Sequence, residues 1–128
     1  MPKVNYIYAE LTSTSVEKLK NTLPFRFNRH FGTYITLDWK VDSFDYLDII
    51  GKKYKLIVDT IASDSHCEAI SVSLTNSELK SVNKNPHITW SVDDNFEPYY
   101  CNYMLEVTAK NTRFPPVEIE VVVKNDLF

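Results

Sequence analysis

Pro86-His87-Ile88-Thr89-Trp90-Ser91-Val92 sets polar against apolar side chains in alternation after its proline. That is the period of a β-strand, in which residues two apart share a face. His87 and Thr89 therefore project together from one face, while Ile88 and Trp90 point to the other. An imidazole beside a hydroxyl can bind a phosphate oxygen and exchange a proton, because histidine titrates near neutral pH and threonine adds a hydrogen-bond donor. His-x-Thr also arises by chance in many strands, so an ordinary structural histidine is the plain alternative.

Upstream, Thr33-Tyr34-Ile35-Thr36-Leu37 echoes the same x-Ile-Thr-apolar pattern and continues through Asp38-Trp39 as a second strand. Between the two echoes, Lys53–Asp59 and Cys67–Leu74 read as strands that pair as a hairpin through the polar turn Ala62-Ser63-Asp64-Ser65. The β-rich opening Val4–Leu11 precedes Thr12-Ser13-Thr14-Ser15, which offers N-caps to an amphipathic helix through Val16, Leu19 and Leu23, closed by Pro24. Ser43–Ile50, stopped by Gly51, reads as a second short helix. Beyond Val92 the pattern gives a loop with Pro98, a strand through Met104-Leu105-Glu106-Val107, a turn at Pro115-Pro116 and a last strand Val117–Val123. The expected fold class is α+β, with mainly antiparallel strands in a sandwich or barrel-like domain and two short helices.

Composition bounds the function. The 128 residues suit one domain, 1–128, and 44% hydrophobic, 24% charged and 13% aromatic residues describe a chain that folds by itself. A net charge of −3 argues against a long duplex-DNA footprint, which usually needs a strongly basic face, but leaves room for a short or single-stranded ligand. Two glycines, Gly32 and Gly51, cannot build a glycine-rich phosphate loop, which removes Walker and dinucleotide fingerprints. Cys67 and Cys101 lack CxxC spacing and read as buried small residues in a reducing, intracellular setting; a cytoplasmic location is expected. No stretch approaches the roughly 18 apolar residues of a membrane helix, so no membrane partner is expected. His66 after Asp64 has no second ligand cluster, and Asp38, Asp42, Asp45 and Asp48 read as a solvated acidic face. Arg26, Arg29 and His30 could rim a phosphate, and Trp90, Tyr99 and Tyr100 could stack on bases, although loop cations are usually just solvated and aromatics usually fill cores.

The run from Phe31 to Leu105 resembles the two-histidine (2H) phosphoesterase superfamily, especially the cyclic-phosphodiesterase-like domains related to the terminal domain of fungal and plant tRNA ligases. The order of segments carries the resemblance: Phe31-Gly32-Thr33-Tyr34-Ile35-Thr36-Leu37, then Gly51 and the hairpin, then Pro86–Val92, then Pro98-Tyr99-Tyr100-Cys101-Asn102. It implies a concave cleft in which two strands each supply a histidine and a threonine or serine around a 2′,3′-cyclic or 2′–5′ phosphodiester, one histidine as base and the other as acid, with no metal and no cofactor. His87 and Thr89 match the second motif, whereas the first keeps Thr36 and shows Tyr34 where the family has its histidine. Losing a general acid or base costs roughly 10²–10⁴-fold in rate. Tyr34 could stand in as a donor, His30 could swing in from its loop, or the site could bind without cleaving.

The expected catalytic set is thus His87, Thr89 and Thr36, with Tyr34, His30, Arg29, Tyr100 and Asn102 as ligand-binding residues. The expected partner is a small nucleotide or an RNA end, and the expected activity, if any, metal-independent cyclic-phosphate hydrolysis. A nucleotide-sequestering protein and a protein-interaction scaffold that has lost the site are the alternatives.

Overall fold

The computed structural model describes residues 5–41, 48–74 and 79–127. Seven strands form one sheet: β1 Asn5–Leu11, β2 Arg29–His30, β3 Tyr34–Val41, β4 Lys53–Ser63, β5 Cys67–Ser71, β6 His87–Val92 and β7 Lys110–Leu127. Their order is β2-β6-β3-β1-β7-β4-β5, and β5 pairs back onto β6, so six strands close into a barrel with β2 appended to β6. Each of these pairings is antiparallel.

Alternation decides what goes inside. Ile7, Ala9 and Leu11 of β1, Ile35 and Leu37 of β3, Val121 and Val123 of β7 and Ile88 of β6 are buried in one cluster, as residues two apart on pleated strands must be when one face turns to a core. The helix α1, Ser13–Thr22, contributes Leu19 to the same cluster. Thr12 caps it, its hydroxyl accepting from Ser15 N at 3.3 Å, and the buried Ser15 hydroxyl in turn accepts from Glu120 N at 2.7 Å, tying helix to β7. A second helix, α2, spans Tyr100–Tyr103 and runs on as a π-helical turn over Met104–Thr108. Its Cys101 and Met104 pack with Cys67, Ala69 and Val92 on the outer face of β5 and β6.

This architecture corrects the α+β cleft expected from sequence: the described residues form a six-stranded antiparallel barrel with two short α-helices. The reason lies largely in β7. Instead of turning at Pro115-Pro116, the chain bulges there: Val58 pairs with Val117 and Thr60 with Arg113, so Asp59 alone faces the three residues between. Proline is tolerated because β1 pairs with residues 121–127 of β7, leaving the other edge of the Pro115-Pro116 stretch without a strand among the described residues. The resulting 18-residue strand reaches both β4 and β1 and closes the sheet.

Met104–Val107, expected as a strand, is helical because Tyr100, Cys101, Met104 and Leu105, at helical spacing, bury together. Four residues of apparent alternation were too few to discriminate between the two periods. Of the second helix expected over Ser43–Ile50, residues 43–47 lie outside the described residues; residues 48–50 form a turn that Gly51, at φ 90°, completes.

The loop before β3 is pinned to the barrel. The buried Glu68 carboxylate accepts from Arg26 N at 2.9 Å and from Ser91 Oγ at 2.7 Å, and Ser91 Oγ accepts from Phe27 N at 3.2 Å. Trp90, fully buried, stacks on Phe25 at 4.5 Å and donates Nε1–H to Pro24 O. Gly32, at φ 101°, lies against this indole so closely that a Cβ would stand 2.6 Å from Trp90 Cζ3. Gly32→Ala therefore meets both a left-handed backbone and the wall of a buried ring, and we expect it to destabilise the fold by about 1–3 kcal/mol, read as a lowered urea midpoint. An unchanged midpoint would show that the loop and Trp90 are free to separate.

Candidate functional site

The strand faces turned away from the core carry the polar residues. Tyr6 on β1, Tyr34 and Thr36 on β3, and His87 and Thr89 on β6 line one cavity of about 110 Å³, completed by Asn83 from the preceding loop and by Pro98, Tyr99 and Asn102 around α2. The cavity lies where the barrel is least tightly sewn: β3 and β6 pair at Ile35 and Ile88. Past that pair the loop before β6 takes up the edge of β3, with Ser81 Oγ donating to Thr36 O at 2.7 Å and Val82 N donating to Leu37 O at 2.9 Å.

His87 is 8% exposed. Its Nδ1 lies 2.9 Å from the carbonyl of Asn85, which can only accept, so the neutral ring carries its proton on Nδ1 and keeps Nε2 as the basic atom. Burial disfavours the imidazolium and holds its pKa below the ordinary 6.5, against the smaller opposing effect of the Asn85 carbonyl. At neutral pH His87 is therefore an uncharged base.

The β3 half of the cavity is phenolic. Tyr6 shares a hydrogen bond with Thr36 Oγ1, and the rings of Tyr6, Tyr8 and Tyr34 meet in stacked and edge-to-face contacts at 5.5–5.9 Å. Burial pushes the Tyr6 phenol well above its ordinary pKa, with the Thr36 hydrogen bond opposing and Tyr34 adding to the rise. It stays protonated as a donor. Thr89 is backed by Cys101, whose thiol it meets; both cysteines are free and buried.

Six residues singled out in the sequence, Tyr34, Thr36, His87, Thr89, Tyr99 and Asn102, thus come together. Arg29, His30 and Tyr100 are occupied elsewhere. Arg29 Nη1 donates to Phe96 O at 2.7 Å, the His30 ring stacks on Phe25 at 3.9 Å, and the Tyr100 hydroxyl donates to Asp64 Oδ2 at 2.7 Å. Trp90 has no exposed face to offer a base. Tyr6 and Asn83 are the cavity residues that sequence reasoning missed. The Tyr6-x-Tyr8 alternation hinted at a tyrosine-bearing face, but only the antiparallel pairing of β1 with β3 puts it beside Thr36.

The nine lining residues include no Lys, Arg, Asp or Glu. Hydroxyls, carboxamides and one neutral imidazole give an array of donors around a single base, suited to an anion of low charge and to moving one proton. Among the described residues no three His, Cys, Asp or Glu side chains converge as metal ligands, and no helix is long and apolar enough to cross a membrane.

Comparison with known proteins gives one family: the model described as the fungal tRNA ligase phosphodiesterase domain matches residues 3–126. No curated protein matches the chain.

The depressed pKa of His87 sets a pH dependence. The unfolded chain binds this proton more readily than the folded one, so the associated stability is complete above pH 6.5 and is lost as pH falls from there through the folded pKa. We expect urea-unfolding free energies to decline below pH 6.5 more steeply for the native chain than for His87→Gln. Parallel declines would mean that His87 is not held neutral by burial.

Proposed function

Because the chain belongs to the fungal tRNA ligase phosphodiesterase domain family, we propose that it acts on RNA ends, holding a 2′,3′-cyclic phosphate or a closely related small phosphodiester between Thr36 and the His87–Thr89 pair. The observation that carries this reading is that one cavity is lined by Thr36 from one strand and by His87 and Thr89 from another. The hydroxyls of Thr36 and Thr89 donate to the non-bridging phosphate oxygens. His87, neutral with Nε2 available, takes a proton from the attacking water as its oxygen bonds to phosphorus and the P–O bond to one ribose oxygen breaks.

The departing ribose oxygen needs a proton, and the family's other histidine is Tyr34 here. A phenol of ordinary pKa near 10 donates a hydrogen bond well but gives up its proton reluctantly. The proposed enzyme is therefore a slow phosphodiesterase that binds its substrate better than it turns it over. The same substitution favours a second reading, retention of the cyclic phosphate without cleavage.

Restoring the histidine separates the two. We expect Tyr34→His to raise hydrolysis of an RNA ending in 2′,3′-cyclic phosphate by roughly 10²–10⁴-fold, the usual worth of a general acid or base. His87→Ala should abolish turnover in both backgrounds. Saturable binding with no turnover in either the native chain or Tyr34→His would leave the sequestering reading, and absence of both binding and turnover would remove the phosphodiester site altogether.

A further inference from the structure

The large apolar side chains that the described residues expose gather around the cavity. Tyr34 and Tyr99 line it, Val82 precedes the lining residue Asn83, and Tyr103 and Val107 follow Tyr99 at four-residue steps along the helical stretch; Ile57 on β4 lies apart. Tyr99, Tyr103 and Val107 are 72%, 53% and 61% exposed. Apolar surface concentrated at the mouth of a polar cavity marks a contact site.

We propose that Tyr99 and Tyr103 form a stacking platform for the unpaired nucleotides that lead to the RNA end, so that the ligand is a single-stranded oligonucleotide held by neutral contacts. This rests on the cyclic-phosphate reading of the cavity above.

Size comes first. At about 110 Å³ the cavity is well below the roughly 300–1,000 Å³ of pockets that enclose a whole small ligand, so it takes the phosphate and leaves the nucleosides outside, beside Tyr99. Spacing comes next. Positions four apart on a helix are separated by about 6 Å along its axis, close to twice the 3.4 Å between stacked bases, which is room for one base between two rings. Rigidity follows from Tyr100, whose ring meets that of Tyr103 at 5.7 Å and whose hydroxyl is tied to Asp64, so Tyr103 is braced from behind. Charge excludes the usual alternative. The cavity has no cationic side chain, the nearby Lys84 is paired to Glu106 at 2.8 Å, and the chain carries a net charge of −3, so affinity beyond the phosphate has to come from ring faces.

The test is calorimetric titration of the intact chain with a 2′,3′-cyclic mononucleotide and with a trinucleotide bearing the same 3′ end. The trinucleotide should bind at least tenfold more tightly. Tyr103→Ala, remote from the phosphate, should weaken the trinucleotide by about 5- to 150-fold, the worth of one stacked base, and leave the mononucleotide unchanged. Tyr103→Phe should retain the native affinity, since the ring and not the hydroxyl does the stacking. Raising salt from about 50 to 200 mM should weaken the trinucleotide by less than about threefold, the change expected for a single phosphate–cation contact on a single strand. A larger salt effect, equal affinity for the two ligands, or an equal loss of both in Tyr103→Ala would overturn the platform while leaving the cavity reading intact. Failure of both ligands to bind would overturn the cavity reading and the platform with it, and would leave the aromatic surface to a protein partner.

Discussion

Everything in this molecule turns on the seam where the barrel closes. β6 is held along its length by β5 and at one end by β2, but to β3 by the single pair Ile35–Ile88. Both isoleucines are fully buried, so the seam is held by apolar packing as much as by the ladder. A longer β3–β6 ladder would bring the strands to ordinary spacing and leave no gap; without any pairing the barrel would open and expose its core. One bridge keeps the barrel shut and lets the strands splay just beyond it, and there the loop carrying Ser81 and Asn83 and the segment carrying Tyr99 and Asn102 complete a cavity.

That location dictates the electrostatics. A histidine buried against a splayed seam gives up its charge, because the imidazolium loses hydration that neighbours do not restore; among the residues that share its cavity no carboxylate is present to stabilise it. The same desolvation keeps Tyr6 protonated. Burial thus acts in opposite chemical directions on the two sides of one small space, making a base of His87 and a donor of Tyr6. The chain's overall acidity is compatible with this, since neutral donors can hold a singly charged phosphodiester without a cationic surface to recruit it.

The sequence was legible where structure is local. Alternation over His87–Trp90 and Thr33–Leu37 gave both strands and the inward or outward sense of their side chains, up to the register shift opposite Glu68 and Ala69 that turns Val92 to the outer face, and the β4–β5 hairpin and the Thr12 cap followed from turn and cap chemistry within a few residues. What was illegible depended on partners far along the chain. The continuation of β7 through Pro115-Pro116 requires knowing that β1 pairs with it at residues 121–127, beyond the prolines, and the helical state of Met104–Thr108 requires the Cys67, Ala69 and Val92 surface on which Cys101 and Met104 rest. In the site, His87, Thr89 and Thr36 could be read from spacing and family resemblance. Tyr6 could not, because its place beside Thr36 comes from a strand pairing some 30 residues apart in the chain. Arg29 and His30 were drawn toward the site by proximity in sequence to β3, yet neither lines the cavity: Arg29 donates to Phe96 O and the His30 ring stacks on Phe25.

The replacement of a histidine by Tyr34 changes the logic of a two-histidine site more than its shape. Two imidazoles can exchange the roles of acid and base, because each titrates near neutral pH. A phenol and an imidazole cannot, since their ordinary pKa values lie about 3.5 units apart. Burial pushes His87 below its ordinary pKa and so moves it further from the range of a phenol. Under the proposed function, proton flow would run one way, from water or ligand hydroxyl to His87, with the tyrosine side donating hydrogen bonds. In the reaction proposed above, an arrangement of that kind favours holding a phosphodiester and activating its attacker over protonating its leaving group, which would put the slow step at the departure of the ribose oxygen.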